Sequence, residues 1–119
     1  QYNNAFKDYD WAILPKLISD TKESSYHLYM LRIKDVSLNQ RNEIIQKIFD
    51  KEVSVNVHFK PLPLLSAYKN RGYEIDSYPM ANALWETEIS LPIYFDLDEE
   101  KVSKVIRAVV DSYNEVVKC

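Results

Sequence analysis

The sequence predicts an α+β fold, a small and mainly antiparallel sheet with helices packed on one face. Three observations carry that expectation. Val53, Val55, Val57 and Phe59 alternate with Ser54, Asn56, His58 and Lys60, the period of a strand with one apolar and one polar face. Two segments instead repeat their apolar residues at helical spacing: Ile44, Ile45, Ile48 and Phe49, and later Val102, Val105, Ile106, Val109, Val110, Tyr113, Val116 and Val117. Finally, the elements alternate irregularly and their connections are short, which favours a small sheet covered on one side by both main helices.

Taken in order, Gln1 to Asp8 is short and polar and reads as the tail of a helix. Trp11 to Ile18 is apolar and strand-length, but Pro15 demotes it to an edge strand or a bulge. Tyr26 to Ile33 is almost wholly apolar or aromatic, so it is expected to be a central strand covered on both faces. Ser37 followed by Gln40 forms a capping box that opens a helix running to about Lys51. The alternating strand 53–60 comes next and is stopped by Pro61 and Pro63. Leu64 to Asn70 is a short helix closed by Gly72. Pro79 suits the first turn of another helix, through Trp85. Glu88 to Ile93 is a brief strand or extended run. Asp98, Glu99 and Glu100 then supply the acidic start of the long helix 98–117.

The totals bound what this chain does. At 119 residues it is expected to form a single domain, 1–119. A net charge of -3, with no basic cluster, argues against nucleic acid as a partner. No apolar run approaches bilayer length, so no membrane association is expected. One cysteine, the terminal Cys119, gives neither a disulfide framework nor a cysteine-rich metal site, and points to a reducing, cytoplasmic setting. A single glycine, Gly72, excludes phosphate-cradling and dinucleotide loops. The chain begins at Gln1 rather than Met, as a processed product or a piece of a longer protein would.

Chemistry-bearing residues are few. His58 stands on the polar side of strand 53–60 beside its end and is the leading candidate for a ligand contact; the competing reading is a solvated strand histidine. Lys60 is the neighbouring candidate for an anion, against an ordinary solubilising lysine. His27 lies among Tyr26, Leu28 and Tyr29 and is expected in the core. No set of nucleophile, base and orienting group is visible, and no metal-ligand spacing. The chain therefore holds no complete active site of its own, and its half-polar sheet face is expected to dock against something else.

Several short motifs follow one another in order: Ser25-Tyr26-His27-Leu28-Tyr29 with Arg32, Val57-His58-Phe59-Lys60-Pro61-Leu62, Gly72-Tyr73, Pro79 with Ala81, Ser90-Leu91-Pro92-Ile93-Tyr94, and Asp98-Glu99 with Val102 and Val105. Together they resemble the C-terminal small domain of the DegT/DnrJ/EryC1/StrS family of PLP-dependent nucleotide-sugar aminotransferases. The resemblance implies the small domain of a fold-type I enzyme, with residues 1–10 as the end of an interdomain helix. It implies transfer of an amino group, from glutamate through pyridoxal 5'-phosphate, to a keto group of a nucleotide-linked sugar in surface polysaccharide or amino-sugar biosynthesis. It places the Schiff-base lysine in an N-terminal large domain outside this chain, and carries over His58 and Lys60 as residues lining the cofactor and substrate cleft. A homodimer is implied for the full enzyme, and an inactive, cofactor-free state for this chain alone. Phe59, Pro63 and Asn82 depart from the family's usual Tyr, His and Glu, and Glu52-Val53 stands where Gly-Ile is common. The alternative is a free-standing α+β module that regulates or binds a partner without catalysis.

Overall fold

The structure, a computed structural model, describes residues 1–118 of the chain. Its elements are α1 (Tyr2–Phe6), β1 (Ala12–Ile13), β2 (Tyr29–Ile33), α2 (Leu38–Asp50), α3 (Ser66–Lys69), α4 (Pro79–Thr87), β3 (Glu88–Leu91) and α5 (Glu99–Val117), with single 3-10 turns at Leu62–Leu64 and Ile75–Ser77. The sheet is antiparallel throughout, in the order β1-β2-β3. The α+β expectation holds.

The helix ends follow their local chemistry. Ser37 Oγ accepts the Gln40 N–H at 3.2 Å, and Gln40 Oε1 accepts the Ser37 N–H at 3.0 Å, closing the capping box. Asp98 Oδ1 accepts the Lys101 N–H at 2.9 Å and starts α5. Gly72 sits at φ +84 in the turn after α3, a conformation that costs a side chain but not glycine.

Cross-strand register assigns the two sheet faces. Tyr29 pairs with Leu91, Leu31 with Ile89, and Ala12 with Ile33, so these residues share one face. That face packs under α2 and α5, where Leu31, Ile33, Ile44, Ile48, Ile89 and Val109 are completely buried. At the far end, Trp11 stacks on Tyr113 with centroids 4.3 Å apart. Tyr2 donates to the Pro92 carbonyl at 3.0 Å and Tyr29 to Asn3 Oδ1 at 2.7 Å, tying α1 to the sheet. The opposite face carries Ile13, Met30, Arg32, Glu88 and Ser90.

Several expectations need correction. The strand 11–18 shrinks to Ala12–Ile13, because Pro15 has no N–H to continue the ladder. The central strand starts only at Tyr29: Tyr26, at φ 56 with its N–H on Ser24 Oγ, turns the chain before the ladder begins. His27 is consequently exposed rather than in the core. Only one face of β2 is covered, since Met30 is 41% exposed. Phe49 likewise leaves the α2 stripe for solvent, and Arg41 occupies the stripe instead.

A further correction concerns residues 53–60, which do not form a strand. They run beside β3 and pair with it only at Asn56, whose N–H and C=O bond to Ser90 at 3.1 and 2.7 Å. Beyond that point side chains take over the ladder: Val57 N–H donates to Asn56 Oδ1 and His58 N–H to Glu88 Oε2. The alternation nonetheless persists where the backbone is extended. Val53 and Val55 are buried, while Asn56 shares the open face with Ser90. It fails at Phe59, expected inside and 74% exposed. Glu52, where the family resemblance expects glycine, takes a left-handed φ of 60 to make the turn out of α2.

Candidate functional site

The open sheet face floors a cleft of about 630 Å3. Leu14 to Leu17 form one wall, His58, Phe59 and Pro61 another, and Ala81, Leu84 and Trp85 of α4 a third. Met30, Arg32 and Glu88 rise from the sheet between them. A pocket mostly apolar in outline with a few convergent polar groups is the usual form of a binding site.

Its polar centre is built on β3. Period two places Glu88 and Ser90 on the open face, and the 56–58 segment brings His58 alongside. Ser90 Oγ donates to Glu88 Oε1. Ser90 Oγ also lies 2.8 Å from His58 Nδ1, and Glu88 Oε2 accepts the His58 backbone N–H at 2.9 Å. The His58 ring meets the Phe59 ring edge-on, with centroids 4.5 Å apart. Behind this group, Arg41 Nη1 donates to the Glu88 carbonyl at 3.0 Å, and its guanidinium lies 5.7 Å from the centre of the Trp85 ring. Burial pulls the Arg41 guanidinium down from its ordinary value, an effect opposed by the nearby charges of Glu88 and Glu86.

Burial likewise pushes the Glu88 carboxyl up from its ordinary 4.5, against the pull of Ser90, the His58 N–H, the His58 ring and Arg41. Raised in the folded state, this group favours folding fully below about pH 4.5 and loses that contribution as pH rises through its folded value. Glu88→Gln cannot titrate. The stability of the native protein relative to this variant should therefore fall between pH 4.5 and pH 7.5, as read by urea unfolding at both. A relative stability that rises over that interval would contradict the assignment.

The residues nominated from the sequence separate here. His58 reaches the cleft; Lys60 is exposed, and only its neighbours Phe59 and Pro61 line the space. Arg32 stands directly across the ladder from Glu88, yet carries no ion pair among the described residues. Glu88, Ser90 and Arg41 escaped the sequence reading. The alternation in Glu88-Ile89-Ser90-Leu91 held the signal for the first two. Arg41, three residues before Ile44 and seven before Ile48, sits on the same helical stripe as the core.

The family model for DegT/DnrJ/EryC1/StrS aminotransferases matches residues 1–110. Among curated relatives, the uncharacterized protein MJ1066 of Methanocaldococcus jannaschii is 33% identical over 91% of this chain and 28% of its own length. The spore coat polysaccharide biosynthesis protein SpsC of Bacillus subtilis is 29% identical over 93% of the chain and 29% of its own length. Among solved structures, the PLP-form of the Streptococcus pneumoniae sugar aminotransferase candidate Spr1654 superposes with a TM-score of 0.92 at 39% identity, over 98% of this chain and 29% of that one. PseC of Helicobacter pylori, at 22% identity and a TM-score of 0.82, shares the fold. The chain thus spans less than a third of the length of these relatives.

Proposed function

The chain belongs to the DegT/DnrJ/EryC1/StrS aminotransferase family, and on that premise we propose that it is the C-terminal small domain of a PLP-dependent sugar aminotransferase. The whole protein then moves an amino group, from glutamate, to a keto group of a nucleotide-linked sugar, in the cytoplasm and as a homodimer. Residues 1–10 end the helix that joins this domain to an N-terminal large domain. The observation that carries the reading is the incomplete cleft: a floor where Arg32 has no ion pair among the described residues, three walls, one of them with an ordered His58, and apolar side chains at Phe59, Leu84 and Met30 left to solvent.

The residues present fit one edge of a PLP site and not the part that holds the cofactor. PLP supplies the electron sink for moving an amino group, and needs a lysine amine, a carboxylate for its ring nitrogen and a cradle for its phosphate. Glu88, the cleft's one carboxylate, is already engaged by Ser90 and the His58 N–H, and no glycine lines the space. In this reading those holding groups lie in the large domain, and the isolated chain neither binds PLP nor turns over. His58 contributes a hydrogen bond to the bound ligand. Arg32 pairs with an anionic group of that ligand, and Lys60 adds positive charge from the cleft's outer edge.

The full-length enzyme tests this directly. Glutamate should convert the absorbance of the aldehyde cofactor to that of its amine form, and a nucleotide-linked keto-sugar should reverse the change. His58→Ala should lower kcat/KM by about fivefold or more, the equivalent of roughly 1 kcal/mol for one oriented hydrogen bond. No spectral change with glutamate, glutamine or aspartate would overturn the aminotransferase reading. An unaltered kcat/KM in His58→Ala would remove the cleft role of His58.

A further inference from the structure

We propose that Glu88 and Ser90 position His58 through a hydrogen-bonded relay that fixes its neutral ring as the Nδ1–H tautomer and leaves Nε2 as a free acceptor at the cleft. A serine hydroxyl has one proton and two lone pairs. An ionised carboxylate only accepts. With Glu88 ionised, the single Ser90 proton goes to Glu88 Oε1. Ser90 Oγ can then meet His58 Nδ1, 2.8 Å away, only by accepting, so the ring proton must sit on Nδ1. In histidine the bond made by one nitrogen decides the state of the other. No described residue engages Nε2.

The ring is also held at a second point. Glu88 Oε2 takes the His58 backbone N–H at 2.9 Å, so one carboxylate grips both the main chain and, through Ser90, the imidazole. Arg41 anchors Glu88 in turn by bonding its carbonyl at 3.0 Å. Phe59 closes one side of the ring edge-on. Glu88 and Ser90 are almost completely buried, at 4% exposure each. Ser90 lies beneath the cleft lining, and Glu88, though it borders the cleft, has both carboxylate oxygens engaged by Ser90 and the His58 N–H, so both act through His58. The acceptor at Nε2 calls for a donor on the cleft ligand, a hydroxyl or an amine; this last step rests on the function proposed above, whereas the relay does not.

The chain's two histidines make the relay measurable. With ring-15N histidine at pH 7.5, and His27→Asn to assign the signals, His58 should show the Nδ1–H pattern, with Nε2 as the lone-pair nitrogen. Ser90→Ala should shift His58 toward the Nε2–H tautomer while His27 keeps its signals, and Ser90→Thr, which restores a hydroxyl, should shift it back. A native His58 in the Nε2–H form overturns the relay without any variant, as does a tautomer indifferent to Ser90→Ala. In the full-length enzyme, Ser90→Ala should lower kcat/KM by about fivefold when His58 is present and by less than about twofold in a His58→Ala background, since residues acting as a unit are not additive. An equal loss in both backgrounds would mean that Ser90 does not act through His58. Absence of transamination beside the expected tautomer would sink the function and leave the relay standing.

Discussion

Arg41→Ala should destabilise the chain by about 3 kcal/mol, a figure assembled from three contributions. The guanidinium makes a charge-assisted hydrogen bond to the Glu88 carbonyl, worth roughly 1.5–3 kcal/mol with its acceptor left unpaired on removal. It lies against Trp85, 5.7 Å from the ring centre, at roughly 0.5–2 kcal/mol. Its stem fills space between α2 and β3, where the residue is 2% exposed. Burial of the cation opposes these gains, which is why its protonation is pulled down. Arg41→Met separates the parts: it keeps the volume and discards the charge, and should cost less than Arg41→Ala. Urea unfolding of both variants is the measurement. An Arg41→Ala protein within about 0.5 kcal/mol of native would show that the buried arginine is energetically idle, as an ordinary surface substitution is.

Leu31→Ala should cost about 3–4 kcal/mol, as deletion of a fully enclosed leucine does. Leu31 is the middle residue of the central strand, directly opposite Ile89, and has no exposed surface. Neighbours on three sides, β1, β3 and the paired helices, leave the site little room to collapse. Met30, one residue earlier on the same strand, faces the cleft and is 41% exposed. Met30→Ala should cost less than about 1 kcal/mol. The contrast between adjacent residues measures which sheet face is core. Comparable losses for the two would mean that both faces are covered in solution.

Much of the fold was legible because its signals are local. The capping box at Ser37–Gln40, the acidic opening of α5 at Asp98 and the Gly72 turn each depend on residues within one turn of each other. The apolar stripe of α5 needs only the helical period, and Pro15 ends β1 by lacking an N–H. The helices appear where their sequence places them, within a residue or two, whereas β1 stops well short of the apolar run that marks it. The family resemblance was equally readable, since it rests on ordered short motifs, and the family model covers residues 1–110.

The site was legible in part, and the missing part is instructive. His58 was found because a polar residue alternates with valines, and that alternation correctly put Asn56 and His58 on the open side. Pairing was not so readable. Alternation says which face a residue takes but not whether a neighbour offers its N–H and C=O in register. Here β3 ends its pairing with this segment at Ser90, and the Asn56 and Glu88 side chains take the next two N–H groups. A predicted strand became an irregular strap, and Phe59 swung out.

The chain's own order of residues thus determined the helices, their caps, the sheet's apolar face and the candidacy of His58, because each follows from periodicity or from contacts a few bonds apart. Only the tertiary structure decided that Glu88, 30 residues beyond His58 in the chain, would hold both its backbone and, through Ser90, its ring, and that Arg41 would be buried behind them. Buried polar groups must find partners at the cost of their lost hydration. Which partners they find depends on the elements folding brings together, and that is information no local pattern contains.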